Sequence, residues 1–143
     1  MAEFYKLKVK DIYKETNDTS VVSFDVPLEL QKAFIFSQGQ HLTLKTIIDS
    51  EDVRRSYSLC SSPFDNEWKV AVKEIPGGKF STFVNSTLKI GDELEVMPPS
   101  GTFGVKCNAE NAKNYLFFAA GSGITPILSM IKAHLASEPN STC

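Results

Sequence analysis

The sequence predicts an antiparallel β-barrel of six strands, with Greek-key connections, followed by the first strand–helix unit of an α/β domain. Three observations predict it. Short runs with period-two alternation fill the first hundred residues, and turn residues punctuate them. After Gly104 the pattern changes to a continuous apolar run, a glycine turn and a helical repeat.

The elements follow in order. Phe4 to Ile12 alternates as a first strand, and "SVVSFDV" is a second, stopped by Pro27. "QHLTLKTII" follows Gly39 as a third, and "RRSYSL", "EWKVAVKEI" and "DELEVM" complete the set. Turns are expected at Asp65-Asn66, Pro76-Gly77-Gly78 and Gly91-Asp92. A short helix over Lys79 to Asn85 follows the glycine pair. "NYLFFAA" reads as a strand covered on both faces, and "ILSMIKAHLA" as a helix with Ile127, Leu128, Ile131 and Leu135 on one stripe. The division is expected near residue 106, giving a barrel over 1–106 and an incomplete α/β unit over 107–143. One βα unit lacks the neighbours a parallel strand needs, so the sequence reads as a fragment.

The bulk numbers exclude several classes. Fifteen basic and 17 acidic residues give a net charge of −2, with no run of like charge. That argues against nucleic-acid or anionic-membrane partners found by bulk electrostatics. The N-terminus has no uninterrupted apolar stretch of signal-peptide type, and Tyr115–Ala120 is too short to span a bilayer. Cys60, Cys107 and Cys143 are odd in number and widely spaced, and His41 and His134 lie far apart. Neither a disulfide framework nor a metal site is expected, and the reading is a reduced, cytoplasmic protein.

Both arginines of the chain, Arg54 and Arg55, stand side by side in "VRRSYSLCSSP". On a strand, Arg55, Tyr57 and Leu59 share one face, and Arg54, Ser56 and Ser58 the other. A guanidinium two residues from a tyrosine suits a ligand with a phosphate at one end and a flat ring at the other. Arg54 reads as surface charge beside Glu51 or Asp52, and Cys60 as a small core residue. "PGGKFS" offers glycine backbone, helix N–H groups, the Lys79 ammonium and the Ser81 hydroxyl, which together suit a pyrophosphate. An ordinary strand-to-helix turn with a solvent-facing lysine is the other reading. "GSGITP" is either a tight turn that lets the helix pack or a ligand-facing helix start. In the second case Thr125 is the N-cap and Pro126 the first helical residue.

The order of five motifs resembles the ferredoxin–NADP reductase superfamily: "FxxGQH" at Phe36–His41, "RSYS" at Arg55–Ser58, "GGKFS" at Gly77–Ser81, "PxGxF" at Pro99–Phe103 and "GSGITP" at Gly121–Pro126. Within it the chain looks most like the reductase components of bacterial oxygenase and epoxidase systems, and next like cytochrome b5 reductase. The resemblance implies an FAD-binding barrel and a Rossmann-like NAD(P)-binding unit. It implies that Arg55 binds the FAD pyrophosphate, Tyr57 packs on the isoalloxazine, and Ser58 bonds near flavin N5, which requires the strand to bend there. Val72, Lys73 and Glu74 would line the ribityl chain and ring edge, and Gly78, Lys79, Phe80 and Ser81 the pyrophosphate. Thr125, with Gly121 and Gly123, would sit at the flavin–nicotinamide contact, and His41 near the flavin edge. Tyr57, Ser58 and Thr125 would be the residues nearest the chemistry. That chemistry is hydride transfer from NAD(P)H to flavin N5, then single-electron transfer to an iron–sulfur or other metal-centre acceptor, a ferredoxin-type or oxygenase component. A 2Fe–2S cluster would need a further domain, since no ferredoxin-type cysteine run is present. The competing class is a flavin-binding regulatory or interaction module without turnover.

Overall fold

The computed structural model describes residues 3–143. Six antiparallel strands form one sheet: β1 (Tyr5–Thr16), β2 (Thr19–Asp25), β3 (His41–Ile48), β4 (Glu51–Ser58), β5 (Trp68–Lys73) and β6 (Glu93–Val96). Their spatial order is β4-β3-β6-β1-β2-β5, so the last strand inserts between β1 and β3. The two outer strands of that order meet: Leu59, just past β4, forms a bridge with Val70, and the Cys60 N–H donates to Lys69 O at 2.9 Å. The sheet thereby curls into a barrel, with one point of closure rather than a full ladder.

Alternation explains the core. Leu7 and Val9 of β1, Val22 and Phe24 of β2, Leu42 and Leu44 of β3, Val70 and Val72 of β5, and Leu94 and Val96 of β6 point inward and are buried. Helix α1 (Lys79–Ser86) lies in the β5–β6 connection and plugs one end of the barrel with Phe80 and Val84. Asn85 fixes the helix in place. Its Nδ2 donates to Val72 O at 3.0 Å and Ser81 O at 2.9 Å, and its Oδ1 accepts from Ser20 and Lys14, each at 2.8 Å.

The β3–β4 hairpin differs from the sequence expectation. Its turn is Asp49-Ser50, with φ of 50° and 65°, so Glu51 pairs directly with Ile48. Two consecutive positive φ values define the hairpin turn that matches strand twist. Asp tolerates that region better than most residues, but the pair is not a common signal. Consequently β4 begins at Glu51, three residues before the expected start at Arg54.

The motifs "FxxGQH" and "PxGxF" meet each other. A Cβ at Gly39 (φ 86°) would drive into the Phe103 carbonyl, and Gln40 Nε2 donates to Gly101 O at 3.1 Å. This contact folds the segment after β6 back against the start of β3.

Beyond the barrel, a 3₁₀ turn at Gly121–Gly123 runs into α2 (Ile124–Ser137). The helix packs on the barrel through Met130 beside Gly39, and the Ser129 hydroxyl donates to Ser61 O at 2.6 Å. The expected strand at 114–120 is extended backbone without a ladder. Only Asn114 bridges, in parallel, to Thr142, with the Tyr115 N–H donating to Thr142 O at 2.8 Å. Leu116 and Phe118 are 80 % and 83 % exposed, because a parallel strand needs partners on both sides and the described residues supply one short contact.

Candidate functional site

A cleft of about 640 Å³ opens between the outer part of β4, the β5–α1 turn and the start of α2. The register of β3 on β4 sets Arg55 opposite Leu44 and Tyr57 opposite Leu42, so both share the core-facing side, as alternation requires. Arg55 lies at the mouth, exposed, and Tyr57 deeper, half-buried. The Tyr57 ring rests on buried Phe80, with centroids 5.9 Å apart. Burial pushes the Tyr57 phenol up, and the Arg55 guanidinium opposes that shift.

The β5–α1 turn forms the second wall. Gly77 has φ 75°, and a Cβ at Gly78 would stand 2.5 Å from Ser81 Oγ and 3.0 Å from Ile75 O. Gly78 is the N-cap of α1 and offers no side chain to its first N–H groups. The Ser81 hydroxyl is turned inward, accepting the Ile75 N–H at 3.1 Å and donating to Gly78 O at 3.2 Å. It shapes the turn, whereas the sequence alone suggests that it reaches a ligand.

The cations of the cleft are in different electrical states. Lys79 Nζ is 2.6 Å from Glu51 Oε2, and Lys73 Nζ is 3.3 Å from Asp18 Oδ2. Arg54, on the opposite face, makes a two-pronged pair with Asp52, both contacts at 2.9 Å. Arg55 has no carboxylate partner among the described residues; its Nη1 donates to the Arg54 carbonyl at 2.6 Å. The neighbouring arginines are thus one neutralised surface charge and one unpaired guanidinium at the cleft.

Of the expected residues, Arg55, Tyr57, Lys73, Glu74, Gly78, Lys79, Phe80, Ser81, Gly121 and Thr125 line the cleft. Ser58, Val72, His41 and Gly123 do not line it. Ser58 is the last residue of β4 and pairs with His41, and Leu59 after it bridges to Val70 of β5. Val72 is fully buried in the core. His41 turns to Ser100, its Nε2 lying 3.2 Å from Ser100 Oγ. Thr125 is a second correction. Because the 3₁₀ turn leads directly into the helix, the N-cap is Gly123 and α2 starts at Ile124. Thr125 is therefore the second helical residue and Pro126 the third, where the missing N–H has no helical partner to lose. The Thr125 hydroxyl donates to Ser122 O at 3.0 Å.

Cys60 is buried beside Lys69 O, and burial pushes its thiol up, away from the thiolate form. The hydroxyls that follow close the β4–β5 loop: Ser61 donates to Glu67 O at 2.7 Å, and Ser62 Oγ accepts the Phe64 N–H at 3.1 Å.

Sequence reasoning missed one cluster. Cys107, His134 and Glu138 bring a sulfur, a nitrogen and a carboxylate oxygen within 4.8 Å of one another. The i,i+4 spacing of His134 and Glu138 was the available signal; Cys107, 27 residues before His134, gave none.

The antiparallel barrel thus carries at its rim a helix-plugged end, a glycine turn and an unpaired arginine beside a half-buried tyrosine. Residues 6–104 match the sequence model of the oxidoreductase FAD-binding domain, and the chain belongs to that family. It is 47 % identical over 141 residues to one of the subunits of 1,2-phenylacetyl-CoA epoxidase from Escherichia coli (strain K12), covering 99 % of this chain and 40 % of that protein. It is 42 % identical to the ferredoxin reductase component of 3-ketosteroid-9-alpha-monooxygenase from Rhodococcus rhodochrous, covering 90 % of this chain and 36 % of that one. Among solved structures, phthalate dioxygenase reductase superposes with a TM-score of 0.77 at 30 % identity, over 97 % of this chain and 42 % of that chain. Two of these relatives are reductases of oxygenase systems by name and the third is an epoxidase subunit, and this chain spans about two fifths of the length of each. No helix of the described residues is long and apolar enough to cross a membrane.

Proposed function

We propose that the chain is the FAD-binding part of an NAD(P)H-dependent reductase that serves an oxygenase or epoxidase system. One observation carries the assignment of the site: Arg55 is the cleft cation left without a carboxylate, two residues from a half-buried ring. An unpaired guanidinium gains charge-assisted bonds from a pyrophosphate without first breaking an ion pair.

The cradle fits the cofactor. The cleft of about 640 Å³ and a shallower depression of about 460 Å³ share Gly78 and Lys79. The free N–H groups at the start of α1 therefore stand between two hollows, as a dinucleotide with a central pyrophosphate requires. In this reading Arg55 and the α1 N-terminus hold the pyrophosphate, and Lys79 leaves Glu51 to join them. Tyr57, fixed by Phe80, stacks on the ring, and Lys73 and Glu74 line the ribityl side. Thr125 and Gly121 close the far wall, where the nicotinamide would enter. FAD, when bound, supplies a ring that accepts a hydride and releases its electrons singly. Orientation by Tyr57 and exclusion of water by the wall of α2 are what these residues contribute. Ser58, Val72, His41 and Gly123 have no part in this geometry.

The domain division near residue 106, a cytoplasmic location, and a ferredoxin-type or oxygenase acceptor all belong to this reading. The end of the FAD-binding match at residue 104 supports the division, and the two relatives that are reductases by name support the kind of acceptor. The test is retention of flavin. Purified chain mixed with FAD should keep a flavin absorbance band through desalting; a chain that emerges colourless contradicts the proposal. In a longer protein carrying the nicotinamide domain, NADH or NADPH should bleach that band anaerobically. Failure with both would favour the module without turnover.

A further inference from the structure

Cys107 follows the barrel, while His134 lies in the last turn of α2 and Glu138, four residues on, is the residue that caps it. Cys107 Sγ is 3.6 Å from His134 Nδ1, and that same Nδ1 is 3.1 Å from Glu138 Oε1. His134 and Glu138 are 0 % and 1 % exposed, and Cys107 is half-buried. The residue types suggest a cysteine–histidine–carboxylate triad, but the geometry excludes one. A triad uses the two ring nitrogens for different partners. Here sulfur and carboxylate meet the same nitrogen, and Nε2 is buried with no partner.

Three donors converging on one point is instead the arrangement of a chelate. Zinc bonds of about 2.3 Å to sulfur and about 2.0–2.1 Å to nitrogen and oxygen, set tetrahedrally, imply S–N and N–O edges of about 3.5 and 3.3 Å. The observed separations of 3.6 and 3.1 Å lie close to these, and the third edge, sulfur to carboxylate oxygen, is within 4.8 Å and closes to about 3.5 Å on binding. The surroundings are built to hold the ligands. Glu138 Oε1 accepts from the Asn108 N–H at 3.0 Å and Asn111 Nδ2 at 2.9 Å; Oε2 accepts from the Tyr115 hydroxyl at 2.9 Å and the Ser141 hydroxyl at 2.7 Å. The Tyr115 ring lies 4.3 Å from the imidazole, and Gln38 Nε2 reaches Cys107 Sγ from the barrel at 3.3 Å. Supports of this kind orient metal ligands.

We propose that Cys107, His134 and Glu138 bind one borderline-soft divalent metal ion of the zinc type, with solvent in the fourth position on the open side of Cys107. Thiolate and imidazole disfavour magnesium and calcium. The site staples the segment after the barrel to α2. On binding, the thiol proton leaves to solvent and the imidazole hydrogen moves from Nδ1 to Nε2. The inference is independent of the flavin reading.

Cobalt(II) titration of the 143-residue chain tests it. The expected result is one ion per chain, with tetrahedral visible bands and a thiolate-to-cobalt charge-transfer band displaced by zinc. The bands should survive in Cys143→Ser and vanish in Cys107→Ser, with far-UV circular dichroism unchanged. Without any variant, zinc should slow alkylation of Cys107 while leaving exposed Cys143 reactive. Absence of the charge-transfer band, its persistence in Cys107→Ser, or unaltered alkylation of Cys107 would overturn the proposal.

Discussion

In the barrel the fully buried side chains include Val22, Leu42, Leu44, Leu59, Val70 and Val72, whereas in and around α2 they include Ser129, His134 and Glu138. Exposed large apolar residues occur in both parts: Leu28, Ile35 and Phe64 in the loops of the barrel, and Leu116, Phe118 and Leu135 in the C-terminal part. The barrel closes its own apolar core and leaves its chemistry at the rim. The segment after it is held by directional bonds to one carboxylate, and by one face of α2 against the barrel. Its order therefore depends on a few hydrogen bonds, while the barrel's depends on burial.

The largest effect should come from the plug of the barrel. Phe80→Ala removes a buried ring that touches Tyr57 and Phe83, and should cost about 3–5 kcal/mol in denaturant unfolding. A loss below about 1 kcal/mol would mean that α1 is not part of the core. Glu138→Gln should act only on the other region. Limited proteolysis should cut between 107 and 120 faster, while the main unfolding transition, owned by the barrel, stays in place. Merged loss of both would show that the regions are one cooperative unit.

Acid should separate them in the same way. Burial pushes the Glu138 carboxyl up, but the donors from Asn108, Asn111, Ser141 and Tyr115 outweigh it and hold it well below the usual carboxylate range. A depressed folded-state value means its stabilisation is complete above the unfolded value of 4.5 and fades as pH falls toward the folded one. Amide exchange in α2 should thus accelerate below pH 4.5 before that of β1–β6 does, when compared with the intrinsic rate at each pH. A smaller effect is expected at Lys79, which is exposed and already paired. Lys79→Ala should weaken flavin binding by less than about fivefold, and less still at high salt.

Period-two alternation made most of the barrel legible, because inward Leu, Val and Phe recur through all six strands. It also put Arg55 and Tyr57 on one face, and of the two acids expected beside Arg54, Glu51 and Asp52, the structure selects Asp52. The Asp49-Ser50 turn was not legible, since residues other than glycine adopt its positive φ values there. That turn places Glu51 on Lys79, so the different electrical states of Lys79 and Arg55 were hidden as well. The apolar run at 114–120 has strand composition, yet strand structure depends on partners that composition does not record. Residues 107, 134 and 138 converge only through tertiary packing.

The account rests on two adjacent arginines having different roles, and a flavin titration of Arg55→Ala beside Arg54→Ala tests this most directly. Loss of charge-assisted bonds at Arg55 should weaken FAD binding by about 10–100-fold, while Arg54→Ala, which removes the Asp52 pair and a contact with the Phe4 ring, should leave it within about twofold. Equal losses in the two variants, or no loss in Arg55→Ala, would contradict it.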